Sequence, residues 1–321
     1  MQGLVTVFGG SGFVGRHVVR ALAKDGWRVR VACRRPNLAP ELRVIGDVGQ
    51  IELVQANVRV PSSVDRAVAG STAVVNLVGC LYEHGPQKFD AIHAVAAQAV
   101  AEAAARAGVA RFVQVSAIGA DAGSKAKYAR TKAEGEAAVR AAIPGATIVR
   151  PSIVFGIDDH FFNRFGAMAA LAPALPLIGG GATRFQPVYV GDVGAAIAAV
   201  VANPASAGRT YELGGPAVYS FRQLMEILLK ETGLHRALVP VPFGIASLLG
   251  MVGDMVAITP FAPPITTDQV ELLKCDNVCG AGQPGLVALG VTPTPLEAVL
   301  PTYLWRFRKG GQFTQPAAAT A

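Results

Sequence analysis

The sequence predicts a doubly wound parallel α/β sheet that is followed by a smaller C-terminal α/β lobe. Short apolar runs alternate with helical patterns over about the first 150 residues. Most of these runs are apolar along their whole length, as strands are when helices cover both faces of a sheet. After this region the alternation loosens and proline and glycine become frequent, which predicts a second, smaller lobe.

The alternating elements of the first half are bounded by their capping and breaking residues. A strand at Leu4–Phe8 leads through a glycine turn to a helix at Arg16–Lys24, which Gly26 ends. The later predicted elements are, in order, the strands Trp27–Cys33 and Ile51–Gln55, a helix that Ser62 or Ser63 caps and that runs to Val68, the strand Ala73–Val78, the helix Phe89–Ala107, the strand Arg111–Ser116, the helix Tyr128–Ala142 and the strand Ala146–Val149.

Two further units can be predicted in the second half. Asp192 is positioned to cap a helix at Val193–Ala202, which leads to a strand at Thr210–Leu213. Ser220 and Gln223 have the spacing of a capping box for a helix that runs to Glu231. We therefore expect a first domain at residues 1–155, to which residues 185–215 return, and a smaller C-terminal lobe with a tail at residues 156–321.

The composition limits the classes of partner. Of the 321 residues, 51% are hydrophobic and the mean hydropathy is +0.39, which excludes disorder and favours an exposed apolar face or a buried interface. The formal net charge is +7, but no run of basic residues is long enough for a nucleic-acid arm. The basic aromatic segment at 305–309, WRFRK, predicts a lipid or protein boundary, or else an exposed amphipathic end.

Neither a metal site nor a membrane span is expected. The four cysteines lack the spacing and the histidine pair of a zinc site, and reduced thiols are the default. The apolar stretch that starts at Phe243, FGIASLLGMVGDMVAITPFAPP, is interrupted by Asp254 and Pro260. It is a poor membrane span, although it could lie on a membrane surface or on a protein partner.

The turn after the first strand predicts a nucleotide site. Gly9, Gly12 and Gly15 form G-x-x-G-x-x-G between a strand and a helix. Glycines allow the sharp turn and let a pyrophosphate approach the helix N-terminus, where free N–H groups attract anions. The alternative is a tight turn with no ligand.

The residues after the second strand favour NADP(H) over NAD(H). An acidic residue there would hold the ribose 2′-hydroxyl, but this chain has Arg34 and Arg35, which suit a 2′-phosphate. The alternative is that both arginines belong to a solvated loop. Asn57, after the third strand, is placed to contact adenine.

A candidate proton-transfer set follows the fifth strand. Ser116 ends that strand, and Tyr128 and Lys132 lie four residues apart on one helix face. An ammonium beside a tyrosine favours its ionised form, so the three could move a proton while nicotinamide moves a hydride. The alternative is that Lys132 only holds the nicotinamide ribose while Tyr128 packs or binds cofactor.

These motifs together resemble the short-chain dehydrogenase/reductase superfamily. GGSGFVG, VNLVG, VSAIGAD, YARTK and RPSIVFG occur in the order that this superfamily shows. The resemblance implies a Rossmann-type domain with a smaller lobe over the cofactor.

A narrower resemblance points to one branch of that superfamily. YARTKAEGE, RPSIVFGIDDHFFNRF, FQPVYVGDVGAAI and TYELGGPAVYSFRQL resemble the accessory NADPH-binding subunits of respiratory complex I. This implies tightly bound structural NADPH without turnover, and attachment to other complex I subunits of the peripheral arm near its membrane junction, with possible contact to anionic lipid. No leader is expected before the first strand, which fits a bacterial homologue on the cytoplasmic face of the inner membrane.

The resemblance also assigns cofactor-binding residues. In this sequence they are Gly9, Ser11, Gly12, Phe13, Val14 and Gly15 in the loop, Arg34 or Arg35 on the 2′-phosphate, Leu77, Val78 and Gly79 as a wall, Ser116, Tyr128 and Lys132 beside the nicotinamide, and Pro151, Ser152 and Ile153 closing over it.

Other functions and residues stay open at this stage. The intact Ser116, Tyr128 and Lys132 also suit a free NADP-dependent reductase, dehydratase or epimerase, and a non-catalytic redox sensor is a third possibility. His84 and His93 are interpreted as polar helix or loop residues. The run 158–160, DDH, predicts a loop that shapes an interface, and the phenylalanines at 161, 162 and 165 predict packing.

Overall fold

The computed structural model describes residues 3–257, 259, 261 and 263–313. The chain divides into two compact units. The first consists of Met1–Pro151, Val190–Leu213 and Gly280–Thr292. The second consists of Ser152–Tyr189, Gly214–Cys279 and Pro293–Ala321.

The strands and helices are numbered along the chain. The strands are β1 (Leu4–Phe8), β2 (Arg28–Cys33), β3 (Ile51–Gln55), β4 (Ala73–Asn76), β5 (Arg111–Val115), β6 (Thr147–Pro151), β7 (Val154–Phe155), β8 (Ala174–Ile178), β9 (Arg184–Phe185), β10 (Val188–Tyr189), β11 (Thr210–Leu213), β12 (Tyr219–Ser220) and β13 (Ala237–Val241). The α-helices are α1 (Phe13–Lys24), α2 (Pro61–Val68), α3 (Ala96–Arg106), α4 (Lys127–Ala142), α5 (Phe162–Leu171), α6 (Val190–Ala202), α7 (Phe221–Thr232), α8 (Phe243–Val256), α9 (Thr267–Leu272), α10 (Leu296–Val299) and α11 (Pro301–Leu304).

The first unit is built on one parallel sheet of seven strands, in the order β11-β6-β5-β4-β1-β2-β3. Every neighbouring pair of these strands is parallel. Its central strands are buried along nearly their whole length, because helices pack on both faces. This confirms the predicted doubly wound sheet, whose strand order reverses between β1 and β4, where ligands bind in such folds.

Three predicted helix starts are wrong, each for a local reason. Helix α1 begins at Phe13 because Gly12 is its N-cap. Helix α2 begins at Pro61, so Ser63 lies inside the first turn, where its hydroxyl donates to the carbonyl of Val60 instead of capping. Helix α6 begins before Asp192, which is therefore a buried residue of the first turn and not an N-cap.

Other local predictions are confirmed. Ser220 and Gln223 form the capping box at the start of α7. Gly26 and Gly108 follow α1 and α3 with φ of +82° and +67°, the left-handed conformation that ends a helix.

The second unit has its own core of aromatic and aliphatic side chains. Phe162 is fully buried, and Phe161 and Phe165 pack against the same cluster, which confirms the predicted packing role. Three small two-stranded sheets surround this core: β8 with β13, β7 with β10, and β9 with β12. Within the described ranges, no helix is both long and apolar enough to cross a membrane.

Asp159 belongs to this core and not to an interface loop, so that part of the prediction is wrong. Its side chain is buried, and its carboxylate accepts hydrogen bonds from the Tyr303 hydroxyl and from the backbone N–H groups of Gly156 and Asn163. Burial raises the pKa of Asp159. Tyr303 is also buried, so this bond ties the start of α5 to α11 without access to water.

We expect Tyr303→Phe to lower the free energy of unfolding by about 1–3 kcal/mol, because the buried Asp159 carboxylate loses a donor. Urea titration measures the change. Tyr219→Phe is the matched control, because it removes a hydroxyl that donates to Glu297 at an exposed position. Equal losses in the two variants would contradict a structural role for the buried bond.

Candidate functional site

The turn between β1 and α1 is closed by backbone contacts that only glycine permits at two positions. Gly9 has φ of +79°, and its carbonyl accepts a hydrogen bond from the N–H of Gly12 at 3.0 Å. A Cβ on Gly15 would lie 2.2 Å from that same carbonyl oxygen. The helix therefore starts directly against the turn, which brings its first N–H groups to the end of the sheet.

The N-terminus of α1 is suited to an anion. Its N-cap, Gly12, has no side chain to accept from the first turn, and that turn contains no acidic residue. Gly12 is exposed, while Ser11, Phe13 and Val14 are half-buried. The helix dipole and the N–H groups of the first turn thus lie at a partly solvated site. We call this site, which residues 9–15 form, the cradle.

The end of β2 borders this cradle. The N–H of Gly9 donates to the carbonyl of Ala32, and the side chain of Ser11 hydrogen-bonds to the thiol of Cys33, whose pKa burial raises. Arg34 and Arg35 follow and are both exposed. Arg34 donates to the amide oxygen of Gln87 at 3.0 Å, and within the described part of the chain no carboxylate forms a salt bridge with either arginine.

Asn57 lies next to this edge, after β3. The N–H of Ala56 donates to the carbonyl of Cys33. The Asn57 side chain accepts from the N–H of Arg59, and its backbone N–H donates to the Ser63 hydroxyl. The residue is thus held by its own loop, half-buried, beside the end of β2.

The segment after β4 forms the opposite wall. The N–H of Leu77 donates to the carbonyl of Phe8, which places Leu77 and Val78 beside the glycine turn. A Cβ on Gly79 would lie 3.2 Å from the Lys132 ammonium nitrogen. The wall therefore connects the turn with α4.

Ser116, Tyr128 and Lys132 come together where β5 ends against α4. The Lys132 nitrogen lies 3.5 Å from the carbonyl oxygen of Val115, the residue before Ser116, and 5.7 Å from the centre of the Tyr128 ring. Burial of the ammonium lowers the pKa of Lys132 to about 8, against the opposing effect of Cys80 and Glu136. Lys132 can therefore both donate hydrogen bonds and lose its charge close to neutral pH.

The Ser116 hydroxyl is the unpaired polar group of this site. Its oxygen is buried and has no hydrogen-bond partner among the residues that the structure describes. A buried hydroxyl without a partner costs free energy that a bound polar ligand would recover. The unpaired Ser116 hydroxyl and the glycine turn, where a Cβ would occupy the space beside the backbone, together fit a bound dinucleotide.

His93 is a member of the site that sequence reasoning missed, because it was interpreted as an ordinary helix or loop residue. It is 2% exposed and lies in a π-helical segment, Asp90–Val95, that precedes α3. The N–H of Cys80 donates to its Nε2 at 3.1 Å, so Nδ1 carries the proton and faces the Thr131 hydroxyl at 3.1 Å. Burial lowers the pKa of His93 to about 3, and the Lys132 charge adds to this effect.

His93 also braces Tyr128. The imidazole meets the tyrosine ring edge to face, with the ring centres 5.2 Å apart, and stacks on Phe89 at the same separation. The segment can come this close because residue 135 of α4 is a glycine. A Cβ on Gly135 would lie 2.0 Å from the His93 carbonyl oxygen. The F-x-x-x-H spacing of 89 and 93 was the available signal, but it has meaning only once Gly135 is known to face it.

Three predicted residues are not all in the same unit. Pro151 ends β6 in the first unit, and Ser152 and Ile153 begin the second unit. The Ser152 hydroxyl donates to the Asn277 side chain at 2.6 Å, and the N–H of Ile153 donates to the same oxygen. Their placement over the nicotinamide stays a prediction.

Comparison with known proteins places these features in context. Residues 5–214 match the NAD dependent epimerase/dehydratase family. Over 320 residues the chain is 37% identical to NADH dehydrogenase (ubiquinone) 1 alpha subcomplex subunit 9, mitochondrial, of Arabidopsis thaliana, which covers 97% of this chain and 80% of that protein. A ceramide reductase of Caulobacter vibrioides is 37% identical over 203 residues, or 63% of this chain and 62% of that protein.

Solved structures support the fold. The Citrobacter sp. triphenylmethane reductase, complexed with NADP(H), superposes with a TM-score of 0.71 at 21% sequence identity. The match covers 91% of this chain and 97% of that chain.

The neutral state of His93 predicts a specific acid sensitivity. The unfolded state takes up a proton below pH about 6.5, but the folded state takes it up only near pH 3, so stability should fall as the pH drops through this window. We expect the loss that His93 contributes to be on the order of a few kcal/mol. Urea titrations of the wild type and of His93→Gln at several pH values give the free energy of unfolding. The contribution of His93 is the difference between the two proteins in the slope of this free energy against pH.

Carboxylates titrate in the same window in both proteins and cancel in this difference. His235→Gln, at an exposed position, is the matched control and should keep the wild-type slope. If His93→Gln also kept that slope, His93 would not be held neutral.

Proposed function

The chain belongs to the NAD dependent epimerase/dehydratase family and to the family of alpha subcomplex subunit 9 proteins, and we propose that it is an accessory subunit of a respiratory NADH:ubiquinone oxidoreductase, complex I. The observation that carries this proposal is the 37% identity to the Arabidopsis subunit across 97% of the chain. Its ligand is NADPH, bound as a structural component. Its partners are other complex I subunits of the peripheral arm near the membrane junction, and its site of action is the cytoplasmic face of a bacterial inner membrane.

The residues of the first unit suit this ligand. The glycine turn and the N-terminus of α1 would hold the pyrophosphate, and Ser116, Tyr128 and Lys132 would face the nicotinamide and its ribose. A bound nicotinamide supplies a hydride to a suitable acceptor. The chain's own contribution is to bind and orient the cofactor. The cofactor's polar groups would in turn give the buried Ser116 hydroxyl a hydrogen-bond partner.

A structural ligand is physically sufficient for such a role. A ligand that binds only the folded state stabilises it by about 2.7 kcal/mol at a concentration 100 times its Kd. No turnover is required for this effect. NADPH would then act as part of the folded first unit, which the complex recognises.

The 2′-phosphate is proposed to bind at the end of β2. Arg34 and Arg35 are exposed there, and β2 ends without an acidic residue that would repel a phosphate. An arginine that contacts the phosphate contributes to the binding of NADPH but not of NADH.

We expect one of the two single variants, Arg34→Ala or Arg35→Ala, to remove the contact with the 2′-phosphate. That variant should weaken NADPH binding by about tenfold or more. NADH binding should stay within about twofold, because the rest of the cradle is unchanged. Nicotinamide fluorescence titrations with both cofactors measure the ratio. Arg43→Ala is the control, as another exposed arginine of the following segment; a double variant of Arg34 and Arg35 that binds NADPH normally would refute this assignment.

A second function has specific support. The set of Ser116, Tyr128 and Lys132 is intact, Lys132 has a pKa of about 8, and one relative is described as a ceramide reductase. These observations favour a free NADP-dependent reductase, dehydratase or epimerase. In such an enzyme Tyr128 would exchange a proton with the substrate, and the Lys132 ammonium would favour the ionised form of Tyr128.

Tyr128→Phe separates the two functions, because it removes one hydroxyl and leaves the ring. If the chain is a structural subunit, NADPH binding and the thermal midpoint of the loaded protein should change little. If it is a reductase, turnover of its substrate should fall by roughly a hundredfold or more. The readouts are NADPH fluorescence, thermal unfolding and a screen of carbonyl substrates by nicotinamide absorbance.

The proposal itself is tested by native electrophoresis of mildly solubilised membranes from the source cells, with this chain detected by antibody. We expect it to migrate with NADH dehydrogenase activity at very high mass. Migration as a small species, apart from that activity, would overturn the proposal and favour the reductase.

A further inference from the structure

Helix α8 of the second unit turns its large apolar side chains to solvent. These side chains, which we call the α8 apolar face, are all more than half exposed and recur at helical spacing. They are Ile245 (56%), Leu248 (60%), Leu249 (51%), Met251 (53%), Val252 (54%) and Met255 (70%). Six such residues within one helix of 14 residues form a contiguous patch of a kind that monomeric soluble proteins seldom expose.

The helix is fixed in this orientation by its small residues. Ala246, Gly250 and Gly253 are its buried positions. A Cβ on Gly253 would lie 1.7 Å from the Ile265 carbonyl oxygen, and one on Gly250 would lie 2.8 Å from the Thr267 nitrogen. Only a glycine face can lie this close to the backbone at 265–267, so the helix cannot turn its large side chains inward without losing this packing.

The chemistry of the face identifies what covers it. It offers no hydroxyl, amide or charged group; the one ionisable residue of α8, Asp254, has its carboxylate within 3.3 Å of the Thr267 N–H. Protein interfaces carry about one hydrogen bond per 100–200 Å² of buried area, and this face provides no donor or acceptor side chain for them. Hydrocarbon requires none.

The charged groups nearest the start of α8 are paired with one another. Lys274 places its ammonium 5.9 Å from the centre of the Phe243 ring, at the first residue of α8, and 2.5 Å from a carboxylate oxygen of Glu271. The face itself has no cation, so attraction to anionic headgroups does not drive its burial.

The C-terminal basic segment is less available for this purpose. The Phe307 ring packs where a Cβ on Gly166 would lie 2.6 Å away, and Arg308 donates to the carbonyl of Glu231 at 2.7 Å. Within the described residues 305–309, Arg306 and Lys309 are the exposed cations. The boundary role of the segment at 305–309 stays a prediction, and the apolar stretch from Phe243, which could lie on a membrane surface or on a protein partner, is the one that exposes a large apolar face.

We propose that the α8 apolar face lies in the interfacial region of a lipid bilayer and holds this chain on the membrane through apolar burial, independently of headgroup charge. The inference deepens the proposed function and rests on it only for the identity of the membrane. Burial of the face is a property of the chain itself, so it can be tested without the complex.

The experiment is flotation of the purified full-length protein, loaded with NADPH, with neutral phosphatidylcholine vesicles. We expect binding that persists when the salt is raised from about 0.1 M to about 1 M, where the Debye length falls from about 10 Å to about 3 Å. The double variant Leu248→Gln and Leu249→Gln should reduce the partition coefficient by at least about tenfold, because two apolar side chains would no longer leave water.

The matched control is Leu171→Gln with Val287→Gln, which changes two side chains that are 91% and 76% exposed outside α8. It should bind vesicles as the wild type does. Both variants should keep the wild-type thermal midpoint and NADPH affinity, since the altered side chains are largely exposed.

Four outcomes would overturn the inference. They are no binding to neutral vesicles, binding that requires anionic lipid and low salt, equal loss in the control, and a wild-type dimer that the α8 variant converts to a monomer. If the wild type fails to bind vesicles while the α8 variant leaves the high-mass NADH dehydrogenase band, the face is a protein interface. Vesicle binding by a chain that never enters that band would refute the proposed function and leave the inference intact.

Discussion

The burial of one ammonium group, that of Lys132, sets the arrangement of the whole candidate site. The side chain is 7% exposed. An ammonium group removed from water at this depth must find hydrogen-bond acceptors or a negative charge, or else it loses its proton. It finds the Val115 carbonyl and the nearby charge of Glu136, which Arg150 holds through two hydrogen bonds. Burial outweighs these favourable contacts and lowers the pKa of Lys132 to about 8.

The neighbours of Lys132 are compatible with this charge. Burial keeps His93 neutral and the nearby cation adds to this effect, and a neutral imidazole can accept from Cys80 and donate to Thr131 at the same time. That fixed ring then supports one edge of Tyr128. Gly79 also borders the ammonium, since a Cβ at this position would lie 3.2 Å from the Lys132 nitrogen. Lys132, His93 and Tyr128 thus share contacts within one buried site.

The sequence predicts those parts of the fold and of the candidate site that depend on short-range rules. The glycine turn, the Tyr128 and Lys132 pair and the capping box at Ser220 are each written within a few residues, and the alternation of strands and helices gives the parallel sheet. His93 could not be predicted in this way, because its role depends on a π-helical segment and on Gly135 of another helix. The same holds for Asp159, whose partner Tyr303 lies 144 residues away. Asp192 was misplaced because helix α6 starts earlier than its best capping residue suggests.

The two units differ in the surfaces that they present. The first unit exposes Arg34 and Arg35 at the end of β2, and its main apolar core lies within a sheet that helices cover on both faces. In the second unit, helix α8 buries its glycines and leaves its large methionine, leucine and isoleucine side chains exposed. The mean hydropathy of +0.39 thus includes apolar side chains that the folded chain leaves exposed on the α8 apolar face. Such a face is the kind of surface that association with a partner or a membrane would cover.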